Sequence, residues 1–219
     1  MSLRYLLVLL FLVVVLVTII QLEVLSIAFQ KLGLSPRAAL LLVLAALFGS
    51  SINIPLASVT STAPPPPPAD IPSWGRIWLP VTPGQTGKTI IAVNLGGCII
   101  PTGLCLYLLV RHLVDPFDLL PALLVVATAS YVFSRPIPGI GIAMPIFLAP
   151  LVAAITALLL APANAAPLAF SSGVLGVLLG ADILRLEDTR QMGANIASIG
   201  GAGTFDGIFL TGIIAVLLT

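Results

Sequence analysis

The sequence predicts an all-α fold, a polytopic transmembrane bundle of about seven helices, several of them broken by proline or glycine. Three observations carry this. Hydrophobic residues make up 59% of the 219-residue chain and charged residues only 8%, and the mean hydropathy is +1.19, too apolar to leave a soluble surface around a buried core. The few charges fall in short clusters between long apolar runs, the spacing expected of membrane spans and their connections. Prolines and glycines interrupt several of those runs, where they bend or end helices. The chain is therefore expected to form a single transmembrane domain over residues 1–219, in the cell membrane, with the lipid bilayer as its first partner.

The first apolar run, Tyr5 to Ile20, follows Arg4 and is not followed by the small-residue cleavage site of a signal peptide, so it is expected to be retained as a helix ending near Glu23. Gln30, Lys31, Ser35 and Arg37 mark the first turn, and Pro36 is well placed to begin a second helix, Arg37 to Ser51. That helix runs into the polar stop Gly49-Ser50-Ser51-Ile52-Asn53-Ile54-Pro55; were it re-entrant, the helix count would be six. Residues 56–86 are expected to form a proline-rich, non-helical loop, with the run Pro64 to Pro68 extended as polyproline. Trp74 and Trp78, either side of Arg76, suit the headgroup layer.

Pro83-Gly84-Gln85-Thr86-Gly87-Lys88-Thr89 ends like a phosphate-binding loop, but Thr82 stands where that pattern needs its first glycine. Lys88 is read instead as the basic anchor of helix three, Thr89 to Val110. On that helix Asn94, Cys98, Pro101 and Cys105 recur at four, three and four residues and share one stripe beside Gly97. Such a stripe faces other helices or a polar cavity. Helix four, Asp118 to Phe133, follows the charged turn around His112. Helix five begins after Pro138 and is interrupted by Gly139, Gly141, Pro145 and Pro150. An uncharged turn, Pro162 to Pro167, leads to helix six, Leu168 to about Leu184, and helix seven covers about Ile196 to Thr219. A cytoplasmic N-terminus places Arg4, Arg76, Lys88, Arg135, Arg185 and Arg190 inside against Lys31, Arg37 and Arg111 outside, six against three.

A net charge of +1 without any cluster of lysine or arginine excludes a surface for polyanions, and no nucleic acid is expected as a partner. One histidine and two cysteines offer no metal-ligand cluster. The chemistry is expected from two carboxylates, Asp182 in Gly180-Ala181-Asp182 and Asp206 in Phe205-Asp206-Gly207. A carboxylate at membrane depth is costly and needs either a partner or a task. Asn94, Gly180, Gly200, Gly201, Gly203, Thr204 and Gly207 are the candidate surroundings.

On helix seven Gly203, Asp206 and Phe209 share a side, and Gly203 with Gly207 would admit a close neighbour. The packing seam of helix six is Gly173, Gly176 and Gly180, and Asp182 points almost opposite to Gly176. Either the helix unwinds at Gly180 or Asp182 faces a different partner. Gly200, Gly201 and Gly203 would also let residues 196–203 run as extended or broken backbone, the true helix starting near Thr204 with Thr204 or Asp206 as its cap.

Gly49-Ser50 to Pro55, Asn94-Leu95-Gly96-Gly97, Gly180-Ala181-Asp182 and the run Ser198 to Leu210 together resemble the prokaryotic membrane-protein family named only as domain of unknown function 1614. The resemblance covers nearly the whole chain and implies a compact multi-pass fold without implying an activity. A weaker resemblance is to presenilin-like intramembrane aspartyl proteases. Phe205-Asp206 is similar to their first aspartate motif, Gly180-Ala181-Asp182 to their second, and Pro121-Ala122-Leu123 to their tripeptide. The order along this chain is reversed, alanine precedes Asp182 and phenylalanine precedes Asp206.

Three functions follow as expectations. A membrane-embedded aspartyl hydrolase would use Asp182 and Asp206 as acid and base on a membrane-embedded peptide, with no metal or organic cofactor. A proton- or cation-coupled transporter or channel would pass a small ion or solute by Asp206, Asp182 and Asn94. A non-catalytic scaffold would use the same groups for packing alone.

Overall fold

The computed structural model describes residues 3–60, 88–137, 141–191, 196–201 and 207–219. Among them the chain forms seven α-helices: α1 (Leu3–Lys31), α2 (Pro36–Gly49), α3 (Ile100–Val110), α4 (Pro116–Phe133), α5 (Leu148–Leu160), α6 (Ala165–Val177) and α7 (Gly207–Leu218). Three helical segments, Tyr5–Lys31, Pro116–Phe133 and Pro162–Ile183, are long and apolar enough to cross a membrane, and Pro36–Gly49, Leu95–Val110, Leu148–Leu160 and Gly207–Leu218 are shorter apolar helices.

Helix starts follow the local chemistry. Ser35 accepts the Ala38 amide through its hydroxyl with Pro36 in the first turn, and Asp115 accepts the Phe117 amide at 2.9 Å with Pro116 in the first turn. In each case the side chain satisfies an otherwise orphaned N–H and the proline gives up none. α6 is the centre of the bundle, with Pro167 through Val174 all buried against α4, α5, α7 and α3. α1 is the opposite case, apolar and, among its described side chains, exposed over most of its length and buried near its end, at Ala28 and Phe29. There Phe29 meets Phe209 of α7, whose ring stands edge-on to Phe170 of α6.

The sequence reading misses a sheet. β1 (Asn53–Thr60), β2 (Lys88–Asn94) and β5 (Ile196–Ile199) form one three-stranded sheet, with β2 antiparallel to β1 and parallel to β5. β3 (Arg135–Ile137) and β4 (Gly141–Ala143) form a separate hairpin. Helix three therefore does not begin at Thr89. Residues 88–94 are a strand rich in β-branched residues, and Lys88 begins that strand. Between it and α3 lies a π-helical turn, Leu95–Ile99.

The other boundaries shift for comparable reasons. Helix one does not end near Glu23 but continues to Lys31, and helix two stops at Gly49. Helix five starts only at Leu148, past Pro145, so that Pro150 falls in its first turn, where its missing N–H costs nothing. Ile196 to Ile199 is strand and α7 starts at Gly207, so the extended-backbone alternative holds there. Most of the 56–86 loop, including the proline run and both tryptophans, lies outside the described residues; its start, residues 56–60, belongs to β1.

Candidate functional site

Asp182 lies in a second π-helical turn, Leu178–Ile183, that continues α6 and is closed by the Leu184 amide on the Leu179 carbonyl. A close helix contact sits beside it. Gly180 packs on the backbone of α4, where a Cβ would run into the carbonyl of Ala127 and come within 2.9 Å of Ser130. Both alternatives posed for Asp182 are thus realised: the helix widens at Gly180, and the carboxylate turns away from the glycine seam. It faces β5, where the Gly200 amide donates to Asp182 Oδ2 at 2.7 Å.

Gly200 holds a left-handed backbone, φ +87°, and a Cβ there would lie 2.7 Å from both Cβ and N of Cys98. Only glycine meets both demands. Gly201, φ +99°, continues the turn and donates its amide to the Ser198 carbonyl. The face of Gly200 that would carry a side chain is pressed on the π turn before α3.

Asn94 fastens that same π turn. Its Oδ1 accepts the Gly97 amide at 2.8 Å, and its Nδ2 donates to the Ser50 carbonyl at 2.7 Å and to Asn53 Oδ1 at 3.0 Å. Asn53 Oδ1 also accepts the Ser198 hydroxyl at 2.6 Å. Asn94 is 1% exposed, so its amide substitutes for water at the end of α2, on β1 and at the π turn together. Gly96 completes the junction: a Cβ on it would strike the Ala46 carbonyl and the Ser50 amide of α2. Asn94 is therefore not on a helical stripe with Cys98, Pro101 and Cys105, as its spacing suggests; it ends a strand and caps the turn that follows.

Arg185, one turn beyond Asp182, is committed elsewhere. It donates to the Tyr131 and Ser134 carbonyls at 2.8 and 3.0 Å and to the Ser134 hydroxyl at 3.2 Å. It also pairs with Asp188 at 3.0 Å and lies over the Tyr131 ring at 4.3 Å. A guanidinium on the last carbonyls of α4 is the favourable end of that helix for a cation. It anchors the π turn from the far side without reaching Asp182.

Of the sequence candidates, the structure brings together Asp182, Gly180, Gly200, Gly201 and Asn94. Asp206, Gly203 and Thr204 lie outside the described residues. Gly207 is exposed, and a Cβ on it would meet nothing within 4 Å among the described residues, so it makes no glycine-mediated contact there. Ser50, Asn53 and Ser198 were missed as site residues, although polar groups within four residues of a glycine in apolar surroundings were the available signal. Among the described residues no cluster of histidine, cysteine or acidic side chains could hold a metal ion. A cavity of about 400 Å³ opens elsewhere, lined by Lys31, Leu113, Pro162, Asn164 and Thr219 among others.

The model of the family described as Protein of unknown function (DUF1614) matches residues 47–218. The match takes in Ser50, Asn53, Asn94, Asp182, Ser198 and Gly200 and leaves out α1 and most of α2. No curated protein and no solved structure matches the chain.

Proposed function

The chain belongs to that family, whose description assigns no activity, and from its polar junction we propose a proton- or cation-coupled carrier or channel for small solutes, with Asp182 as the exchanging group. The observation that carries the reading is the poverty of Asp182's surroundings. At the end of an apolar 22-residue segment its carboxylate holds one backbone amide and, among the described residues, no cation. The carboxylate is half-buried, and one neutral donor offsets only part of the cost of withdrawing it from water. A bound proton or metal cation supplies the rest, and a site that needs an ion in order to be stable is a site that can carry one.

The architecture supports the same reading. α2, α3 and α5, at 14, 11 and 13 residues, are shorter than the roughly 20 residues a span needs. Two of them connect directly to the junction, α2 into β1 and β2 through a π turn into α3. Broken backbone at membrane depth is tolerated where protein buries it or it lines a polar cavity, and discontinuous helices are the usual frame of ion sites in carriers. In this reading all seven helices insert in the cell membrane, and the N-terminus and the junction both face the cytoplasm.

The test is proton and sodium flux into proteoliposomes holding the purified chain, its Asp182→Asn form and its Asp206→Asn form, with a helical peptide added in parallel. Flux in the wild type that is lost in Asp182→Asn is expected. Wild-type liposomes no leakier than empty ones would overturn the reading. Peptide cleavage abolished by both substitutions would replace it with an aspartyl hydrolase.

A further inference from the structure

We infer that the Gly200 amide is a latch between the two π turns: Asp182 holds Gly200, and Gly200 in turn holds the π turn of residues 95–99 closed over Cys98. The inference deepens the transport reading and rests on it for its purpose.

Three observations converge on Gly200. Its N–H is given to Asp182 on the first π turn. Its opposite face lies against Gly97 and Cys98 on the second. Its own backbone is left-handed, a conformation glycine enters and leaves without steric cost. A π turn carries one residue more per turn than its neighbours and relaxes toward α by shifting hydrogen-bond partners, which makes it a two-state element rather than a deformable one. The turn at 95–99 is fixed at its start by Asn94 on the Gly97 amide and closed by the Ile100 amide on the Leu95 carbonyl. Gly200 presses on it between those two bonds. The charged groups nearest in sequence do not compete for the latch: Arg185 and Asp188 are paired with each other, and Glu187 is exposed. An ion taken up by the carboxylate thus weakens the bond to Gly200 and is felt on α3, which is what coupling an ion to a moving helix requires.

Cys98, half-buried beneath Gly200, is a native reporter, and Cys105, 1% exposed, is the internal control. The full-length chain in detergent is labelled with N-ethylmaleimide and the rate at each cysteine read from peptide masses. Asp182→Ala removes the acceptor and is expected to speed Cys98 labelling about tenfold, the equivalent of one charge-assisted hydrogen bond, while Cys105 stays slow. Asp182→Leu, which keeps the volume, gives the same result and serves where the alanine form does not fold. Asp182→Asn keeps only a neutral acceptor, as the ion-loaded carboxylate does, and is expected to fall between wild type and Asp182→Ala.

Wild-type Cys98 rates in both Asp182→Ala and Asp182→Leu would overturn the latch, as would Asp182→Asn labelling no faster than wild type. Hydrogen exchange on the wild type needs no variant: peptides covering 95–100 and 196–201 are expected to open together, and opening rates more than about tenfold apart would also overturn it. A latch without wild-type flux sinks transport alone. Flux lost in Asp182→Asn, with Cys98 labelling indifferent to Asp182→Ala, sinks the latch alone.

Discussion

The Asn94 side-chain amide donates to the backbone carbonyl of Ser50 at 2.7 Å across 44 residues of sequence, and so ties the end of one helix to the start of another. The same amide donates to Asn53, and its oxygen accepts from Gly97. Asn94→Ala would leave the Ser50 carbonyl and the Gly97 amide buried without partners, at a cost of about 2–4 kcal/mol. Asn94→Asp keeps one of the three bonds but turns a carboxylate toward two oxygens, and is expected to do no better. Thermal unfolding in detergent, followed by size-exclusion monodispersity, reads both; an Asn94→Ala form as stable as wild type would refute the role given to this residue.

The glycines of the junction separate into those that touch backbone and those that touch nothing. Gly96→Ala and Gly200→Ala push a methyl against backbone that cannot yield, and Gly200→Ala adds the left-handed penalty. Both are expected to cost more than about 3 kcal/mol and to reduce expression. Gly103, within α3, has open space where its Cβ would be, so Gly103→Ala is expected to be neutral or to stabilise by about 0.5–1 kcal/mol. Equal effects at Gly96 and Gly103 would show that the close approach of α2 to the π turn is not what requires glycine.

Much of this was readable before any fold was known, and the part that was not has a physical cause. Apolar run length locates the helices because a span must bury its backbone and shield its apolar side chains together, and Pro36 marks a true start because it follows the capping residue Ser35, whereas Pro116 after Asp115 starts α4 two residues before the expected Asp118. The four motif stretches, Gly49 to Pro55, Asn94 to Gly97, Gly180 to Asp182 and, within its described part, Ser198 to Gly201, prove to converge. What stayed hidden is the sheet. Thr89-Ile90-Ile91-Ala92-Val93 is as suitable for a buried helix as for a strand, since both are apolar throughout, and only pairing with β1 and β5 over long sequence distance decides between them. The direction of Asp182 was hidden for a related reason: a π turn rotates every residue after it, and helical periodicity cannot register the extra residue.

Arg185 offers a test of how the Asp182 turn is held. Its guanidinium spans two carbonyls, one hydroxyl and one carboxylate, a fork that lysine cannot reproduce. Arg185→Ala is expected to lower stability by about 1–3 kcal/mol and Arg185→Lys to recover less than half of that. Asp188→Ala should cost no more than about 1 kcal/mol, since the Arg185–Asp188 pair is partly solvated. If Asp188→Ala matched Arg185→Ala, the ion pair rather than the α4 carbonyls would be the anchor.

The disposition of the two ends of the bundle yields a last prediction. Lys31 donates to the Val216 carbonyl near the end of α7 at 3.3 Å, and Lys31, Leu113, Pro162 and Thr219 line one cavity, so the ends of α1, α3, α5 and α7 meet at a single face. Ser50, Asn94, Asp182 and Gly200 gather at the other end of their segments. If every helix inserts, single cysteines at Lys31, His112 and Asn164 are expected to react with a membrane-impermeant maleimide from one side, and cysteines at Arg135 and Glu187 from the other. With Cys98 and Cys105 first replaced by alanine, right-side-out and inverted vesicles should give reciprocal labelling, the Arg135 face reacting in inverted vesicles because the excess of basic residues holds it in the cytoplasm. Lys31 and Arg135 labelling from the same side would exclude the seven-span arrangement and with it the placement of the junction at the cytoplasmic boundary.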